Sequence, residues 1–237
     1  MSPARRTTDK STGSASLGAR LVATARALNA SGLNRGTSGN VSVRTPTGFL
    51  VTPSGFPYEA MTPRDLVAMT LDGAAKGPHA PSTEWPFHAA VYRARPEAGA
   101  VVHVHSEAAM ALACLRRDVP AFHYMVAVAG GRTIRCAPYA TFGTDTLAAH
   151  AVAALEGRKA CLLANHGQLT LGPTLEAALK LAVEVESLCA TYLRALTVGE
   201  PVLLSDAEMD EVLAKFATYG VRTPARLRPP GRPRRSG

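Results

Sequence analysis

The chain has 237 residues, 46% of them apolar, and a formal net charge of +8, which suits one domain with a substantial core. No run of about 18 apolar residues could span a bilayer, and the Ser/Thr-rich N-terminus lacks the apolar stretch of a secretory leader, so a soluble, cytoplasmic protein is expected. The positive charge falls on residues 1–20 and on the six arginines of residues 222–237, leaving a nearly neutral body and no expectation of a specific nucleic-acid role. The boundaries read as a disordered basic tail over 1–17, one domain over 18–221, and a disordered Arg/Pro-rich tail over 222–237.

In chain order, "LGARLVATARALNASG" has helical apolar spacing and stops at Gly32. "NVSVRTPTGFLVTPSG" alternates around a Pro/Gly turn as a β-hairpin, and "DLVAMTLDG" adds a strand. "PSTEWPFHAAVYRARP" reads as a helix that Ser82 or Thr83 caps, with Pro86 in its first turn and Glu84 at its start. "AGAVVHVH" is a buried strand, and "SEAAMALACLRR" a helix that Ser106 caps. Then come "TIRCAP", a helix in "TDTLAAHAVAALEG", strands in "KACLLANHG" and "QLTLG", and a long helix in "TLEAALKLAVEVESLCATYLRAL". Ser205 and Glu208 stand at capping-box spacing for a last helix. Such a mixture gives an α/β class, a layered sandwich. The four scattered cysteines, Cys114, Cys136, Cys161 and Cys189, form no C-x-x-C pair and read as reduced, packed thiols.

The chemistry concentrates at strand ends. Residues two apart on a strand share a face, with Cα atoms about 6.5–7 Å apart, so His103 and His105 can share one cation. Such a pair also describes two hydrogen-bonded histidines at a sheet edge, and a third donor decides. His166, in "LLANHGQLTLG", stands after another apolar strand, with the chain turning at Gly167. Three histidines with one open position is a catalytic zinc geometry, whereas structural zinc takes four protein ligands. His79, His88, His123 and His150 lack this context and read as helix or loop residues. Glu84 is either a base beside the cation or a carboxylate complementing a helix dipole. "NRGTSGN" and "TPSG" are small, hydroxyl-rich loops of a kind that cradles phosphate, though also of ordinary turns.

Taken together, "GLNRGTSGNVSVR", "LVTPSGFPYE", "PSTEWPFHAAVYRARP", "AVVHVHS", "HYMVAVAGG", "RCAPYATFGT", "NHG" and "LSDAEMDEVLAKFATYG" resemble the class II aldolase/adducin family from about residue 18 to 221. The resemblance implies a three-layer α/β/α sandwich with a mixed, largely antiparallel central sheet, and one zinc ion per subunit on His103, His105 and His166. It implies Glu84 as catalytic acid/base and Thr37, Gly39, Asn40, Ser54, Gly55, Ser82 and Thr83 as phosphate-binding positions. Phe142 matches a residue lining the aldehyde pocket. Tyr124 and Tyr219 match tyrosines that reach a neighbouring subunit's site in a homotetramer, with Tyr219 as proton donor. The implied reaction is reversible cleavage of a sugar phosphate, L-fuculose 1-phosphate or a close relative, into dihydroxyacetone phosphate and a short aldehyde such as L-lactaldehyde. Within the same superfamily stand a 5-deoxy- or methylthiopentulose-1-phosphate aldolase, a pentulose-5-phosphate 4-epimerase such as one acting on L-ribulose 5-phosphate, and a non-enzymatic adducin-like module. Thr83 stands where the family commonly has serine, and "NHG" where it has His-His-Gly.

Overall fold

The β-branched runs assemble into one eight-stranded sheet in the computed structural model, which describes residues 11–218, with side chains from 17 to 217. Its strands are β1 (Asn40–Thr45), β2 (Gly48–Val51), β3 (Val67–Met69), β4 (Ala75–Lys76), β5 (Ala100–Val104), β6 (Cys136–Ala137), β7 (Ala160–Leu163) and β8 (Gly167–Gly172), in the order β4-β3-β2-β1-β5-β8-β7-β6. All pairs are antiparallel except β6 with β7. The helices are α1 (Ser11–Ala30), α2 (Trp85–Ala94), α3 (Glu107–Cys114), α4 (Asp145–Ala154), α5 (Leu175–Val198) and α6 (Asp206–Thr218), with a 3-10 helix at Tyr124–Ala129.

Strand alternation sorts these helices into two outer layers. Val101, Leu169 and Leu171 point to the face covered by α2 and α4, where Phe87, Val91 and Leu147 pack. Val41, Val43, Val102 and Val104 point to the opposite face, against Leu21 of α1 and Ala178 of α5. Beyond them Leu112 of α3, Val185 of α5 and Met209 of α6 close a further cluster. The architecture is the expected α/β/α sandwich. No helix among the described residues is long and apolar enough to cross a membrane.

Several local features differ from the sequence reading. Helix α1 begins at Ser11, inside the segment read as a tail. Neither Ser82 nor Thr83 caps α2: Glu84 is the N-cap residue and its side chain makes no capping bond. Ser106 does occupy the N-cap of α3, but its hydroxyl donates to Glu186 Oε2 at 2.6 Å instead of accepting from the helix. The cap is the Glu186 carboxylate of α5, which accepts from the amides of Ala108 at 2.8 Å and Ala109 at 2.9 Å. The Ser205/Glu208 capping box forms as read, with the Ser205 amide on Glu208 Oε2 at 2.7 Å and the Glu208 amide on Ser205 Oγ at 3.3 Å. All four cysteines are free, and Cys114 is exposed rather than packed.

Candidate metal centre

Strand β5 is buried along its whole length, and its odd positions face α2. His103 is fully buried there and pairs across the strands with Asn40 on β1 and Leu169 on β8. Two glycines permit this close packing. A Cβ on Gly39 would stand 2.7 Å from the His103 carbonyl oxygen, and one on Gly167 would stand 2.5 Å from the Val104 carbonyl oxygen and 3.1 Å from His105 Cδ2. His166 sits in the β7–β8 connection. The residue that turns the chain there is Asn165, at φ 53°, rather than Gly167, which already pairs with Leu163.

These elements bring four donors together. One ligand atom each from Glu84, His103, His105 and His166 lies within 4.8 Å of every other. His103 Nε2 and His105 Nε2 are 3.0 Å apart. His103 Nε2 is 3.2 Å from Glu84 Oε2, and His166 Nε2 is 3.2 Å from Glu84 Oε1. The three imidazoles meet edge-on, with centroids 4.7 to 4.9 Å apart.

Electrostatics prepares the cluster for a cation. Burial alone would raise the Glu84 pKa, but the neighbouring imidazoles of His103 and His166 outweigh it and hold the carboxyl well below the ordinary range. Burial pushes His105 down to about 4, helped by its histidine neighbours, so its imidazole is neutral at pH 7. His103 donates from Nδ1 to the Gln168 carbonyl at 2.9 Å, which leaves its Nε2 lone pair facing the cluster. Gln168 is itself fixed, its Nε2 donating to Ser106 Oγ at 2.7 Å and to the Ala182 carbonyl at 3.2 Å.

The residues fit a metal. Glu84 Oε1 is buried and has no hydrogen-bond partner, an arrangement that costs free energy unless a cation or proton satisfies it. Three imidazole nitrogens and a carboxylate oxygen are the donor set of borderline divalent ions, zinc among them.

The three loops expected to bind phosphate lie around Glu84. Thr52 pairs with Val41 through its amide and hydroxyl, and residues 52–54 bond to residues 80–82. Thr37, Ser54, Gly55 and Thr83 are exposed, while Gly39 and Ser82 are buried. Ser82 Oγ accepts from the Glu84 amide at 3.3 Å. Asn40 is turned inward instead: its amide donates to Glu84 Oε2 at 2.9 Å. The Phe142 ring is 63% exposed, and its loop is pressed on Thr83, since a Cβ on Gly143 would lie 2.8 Å from the Thr83 carbonyl oxygen.

Tyr124 is not brought to the cluster of its own chain. It lines a groove of about 800 Å³ with Met125, Val128, Lys180, Val212 and Phe216. Tyr219 lies outside the described residues. The sequence reading passed over three side chains that the structure engages: Ser42 and His88 behind Glu84, and Glu186 at the start of α3. Residues 84, 88 and 92 stand four apart and 40, 42 and 44 two apart, a spacing that puts each set on one face without marking that the two sets meet.

Comparison with known proteins agrees with this geometry. Residues 19–193 match the model of the Class II Aldolase and Adducin N-terminal domain. The chain is 54% identical over 200 residues to the 5-methylthioribulose-1-phosphate/5-deoxyribulose-1-phosphate aldolase of Rhodospirillum rubrum, covering 84% of this chain and 90% of that protein. It is 48% identical over 207 residues to the L-fuculose phosphate aldolase of Escherichia coli, covering 87% and 96%. A solved L-fuculose 1-phosphate aldolase superposes with a TM-score of 0.83 at 40% identity, covering 85% of this chain and 96% of that one. A histidine and carboxylate cluster at the strand ends, on this fold and with these relatives, has one reading: the chain belongs to the class II aldolase/adducin family and is an enzyme of its metal-dependent aldolase branch.

Proposed function

We propose that the metal is zinc and that the substrate is a 5-deoxy- or 5-methylthiopentulose 1-phosphate. Scission between C3 and C4 of such a ketose gives dihydroxyacetone phosphate and acetaldehyde or its methylthio derivative. The observation that carries the aldol chemistry is the convergence of three imidazoles on a buried, ionised Glu84. The substrate preference rests on the 54% identity to the Rhodospirillum aldolase, against 48% for the fuculose-phosphate enzyme. L-Fuculose 1-phosphate, the first expectation from sequence, therefore stands second.

His103, His105 and His166 would hold the zinc, which as a Lewis acid would polarise the substrate carbonyl and acidify the adjacent carbon. Glu84 takes the proton from that carbon in the synthetic direction and returns it after cleavage. Its Oε1 carries no hydrogen bond and is the oxygen with lone pairs to spare, whereas Oε2 is engaged by Asn40. Thr37, Gly39, Ser54, Gly55, Ser82 and Thr83 orient the phosphate, which fixes register rather than doing chemistry. Asn40, at the edge of this cradle, turns its amide to Glu84 instead. We place Tyr219, with Tyr124, at the aldehyde oxygen of a neighbouring subunit in a cytoplasmic homotetramer; the position of Tyr124 away from its own cluster supports that assembly.

The test is kcat/KM on zinc-loaded protein for 5-deoxyribulose 1-phosphate, 5-methylthioribulose 1-phosphate and L-fuculose 1-phosphate. The proposal expects the first two to exceed the third. A clear preference for L-fuculose 1-phosphate would reverse the order.

A further inference from the structure

Behind the candidate base runs a buried polar chain. Asn40 donates to Glu84 Oε2 at 2.9 Å, and Asn40 Oδ1 is 2.6 Å from His88 Nε2. His88 Nδ1 is 2.7 Å from Ser42 Oγ, which is 2.8 Å from the Tyr92 hydroxyl. The chain follows from two periodicities. Four residues of helix rise about 6 Å and two residues of strand about 6.6 Å. Glu84, His88 and Tyr92 along α2 can therefore lie rung by rung over Asn40, Ser42 and Arg44 along β1.

The proton order along the chain is determined from one end. The Asn40 side-chain nitrogen faces Glu84 Oε2 and its Oδ1 faces His88 Nε2, so the amide donates to the carboxyl and accepts from the imidazole. His88 must then donate from Nε2. As a neutral imidazole it accepts at Nδ1, so Ser42 donates to it and Tyr92 donates to Ser42. No member can exchange its partner for solvent: Ser42 and His88 are fully buried, and Asn40, Tyr92 and Glu84 are 2%, 1% and 5% exposed. The far end is anchored by Arg44, whose guanidinium lies 4.7 Å from the Tyr92 ring centroid and donates to the carbonyls of Tyr92, Arg95 and Ala98.

We infer that His88 is a positioning residue, holding the Asn40 amide with its N–H toward Glu84 and thereby fixing the carboxylate that moves the substrate proton. Without the His88 N–H, Asn40 can rotate by half a turn and set its carbonyl oxygen against the carboxylate. The catalytic part of this inference rests on the aldolase reading above.

The experiment uses full-length, zinc-loaded protein and proton exchange at dihydroxyacetone phosphate in deuterated water. His88→Phe keeps a ring between Phe49 and Phe87 but cannot donate. His88→Gln restores a side-chain amide donor. His88→Phe is expected to lower kcat for exchange by roughly 10- to 100-fold, the scale of lost outer-shell partners. Zinc content should stay unchanged and KM within about two-fold, and His88→Gln should recover most of the rate. Wild-type kcat in His88→Phe, or equal losses in both variants, would overturn the inference. A second readout needs no turnover: ¹⁵N–¹H spectra of histidine-labelled protein should show His88 as the neutral Nε2–H tautomer, and an Nδ1–H tautomer would overturn it as well. If wild-type protein shows no exchange, dihydroxyacetone phosphate fails as donor, and the tautomer alone then decides the placement of His88.

Discussion

The Nε2 atoms of His103 and His105 stand 3.0 Å apart at the end of one buried strand. Without a cation His105 must donate its Nε2–H to the His103 Nε2 lone pair, and a cation takes up both nitrogens instead. His105→Ala should therefore abolish stoichiometric zinc binding and aldol cleavage together, while the fold persists by circular dichroism. Metal analysis after dialysis checks this, and full zinc occupancy in the variant would show that the ligand set is wrong.

Glu186 caps α3 across 77 to 80 residues of sequence, accepting from Ser106, Ala108 and Ala109. Glu186→Ala leaves two part-buried amides unpaired, which costs about 1–3 kcal/mol. For a domain of this size that corresponds to a fall in Tm of roughly 2–12 °C. A thermal unfolding scan in which the variant matches the wild type would remove the cap from the account.

Gly167→Ala forces a Cβ to within 2.5 Å of the Val104 carbonyl oxygen, beside His105. Backbone has to shift, and the shift falls on His105, one of the proposed ligands. Zinc affinity should fall by roughly ten-fold or more, as when supporting structure is disturbed. Gly199→Ala, with open space around its Cβ and no left-handed backbone, serves as the control for a glycine-to-alanine change away from the metal.

Burial, with a smaller contribution from His103 and opposition from Glu84, pushes His88 down to about 3. An unfolded histidine titrates near 6.5, so between about pH 6.5 and 3 the unfolded chain binds a proton that the native protein refuses. Stability is then greatest above pH 6.5 and falls as pH drops, by up to ~1.4 kcal/mol per pH unit from this residue. Urea unfolding of metal-free protein at pH 7.5 and 5 should show a dependence shallower by about one proton in His88→Gln. Equal slopes would contradict the assignment.

The sequence made the strand-borne histidines visible because period two and a buried strand suffice to place His103 and His105 on one face. His166 and Glu84 stood out as candidates by their positions at element ends, and the layered α/β class by the mixture of elements, while the three layers and the residue roles came with the family resemblance. What stayed hidden was pairing between distant segments. His88 lies 48 residues from Asn40, and nothing local marks a helical histidine as the partner of a strand asparagine. For the same reason Ser106 read as a helix cap, when the capping carboxylate arrives from α5, and Asn40 read only as a phosphate position, when its amide faces the base.

The most direct measurement is stereospecific proton exchange at dihydroxyacetone phosphate in deuterated water, run on zinc-loaded wild type and on Glu84→Gln with zinc content determined in parallel. The account predicts metal-dependent exchange in the wild type and, in the variant, full zinc with exchange reduced at least a hundred-fold, about the lower limit for losing a general base. Exchange that persists in Glu84→Gln with zinc bound would contradict the assignment of Glu84 as the group that moves the proton.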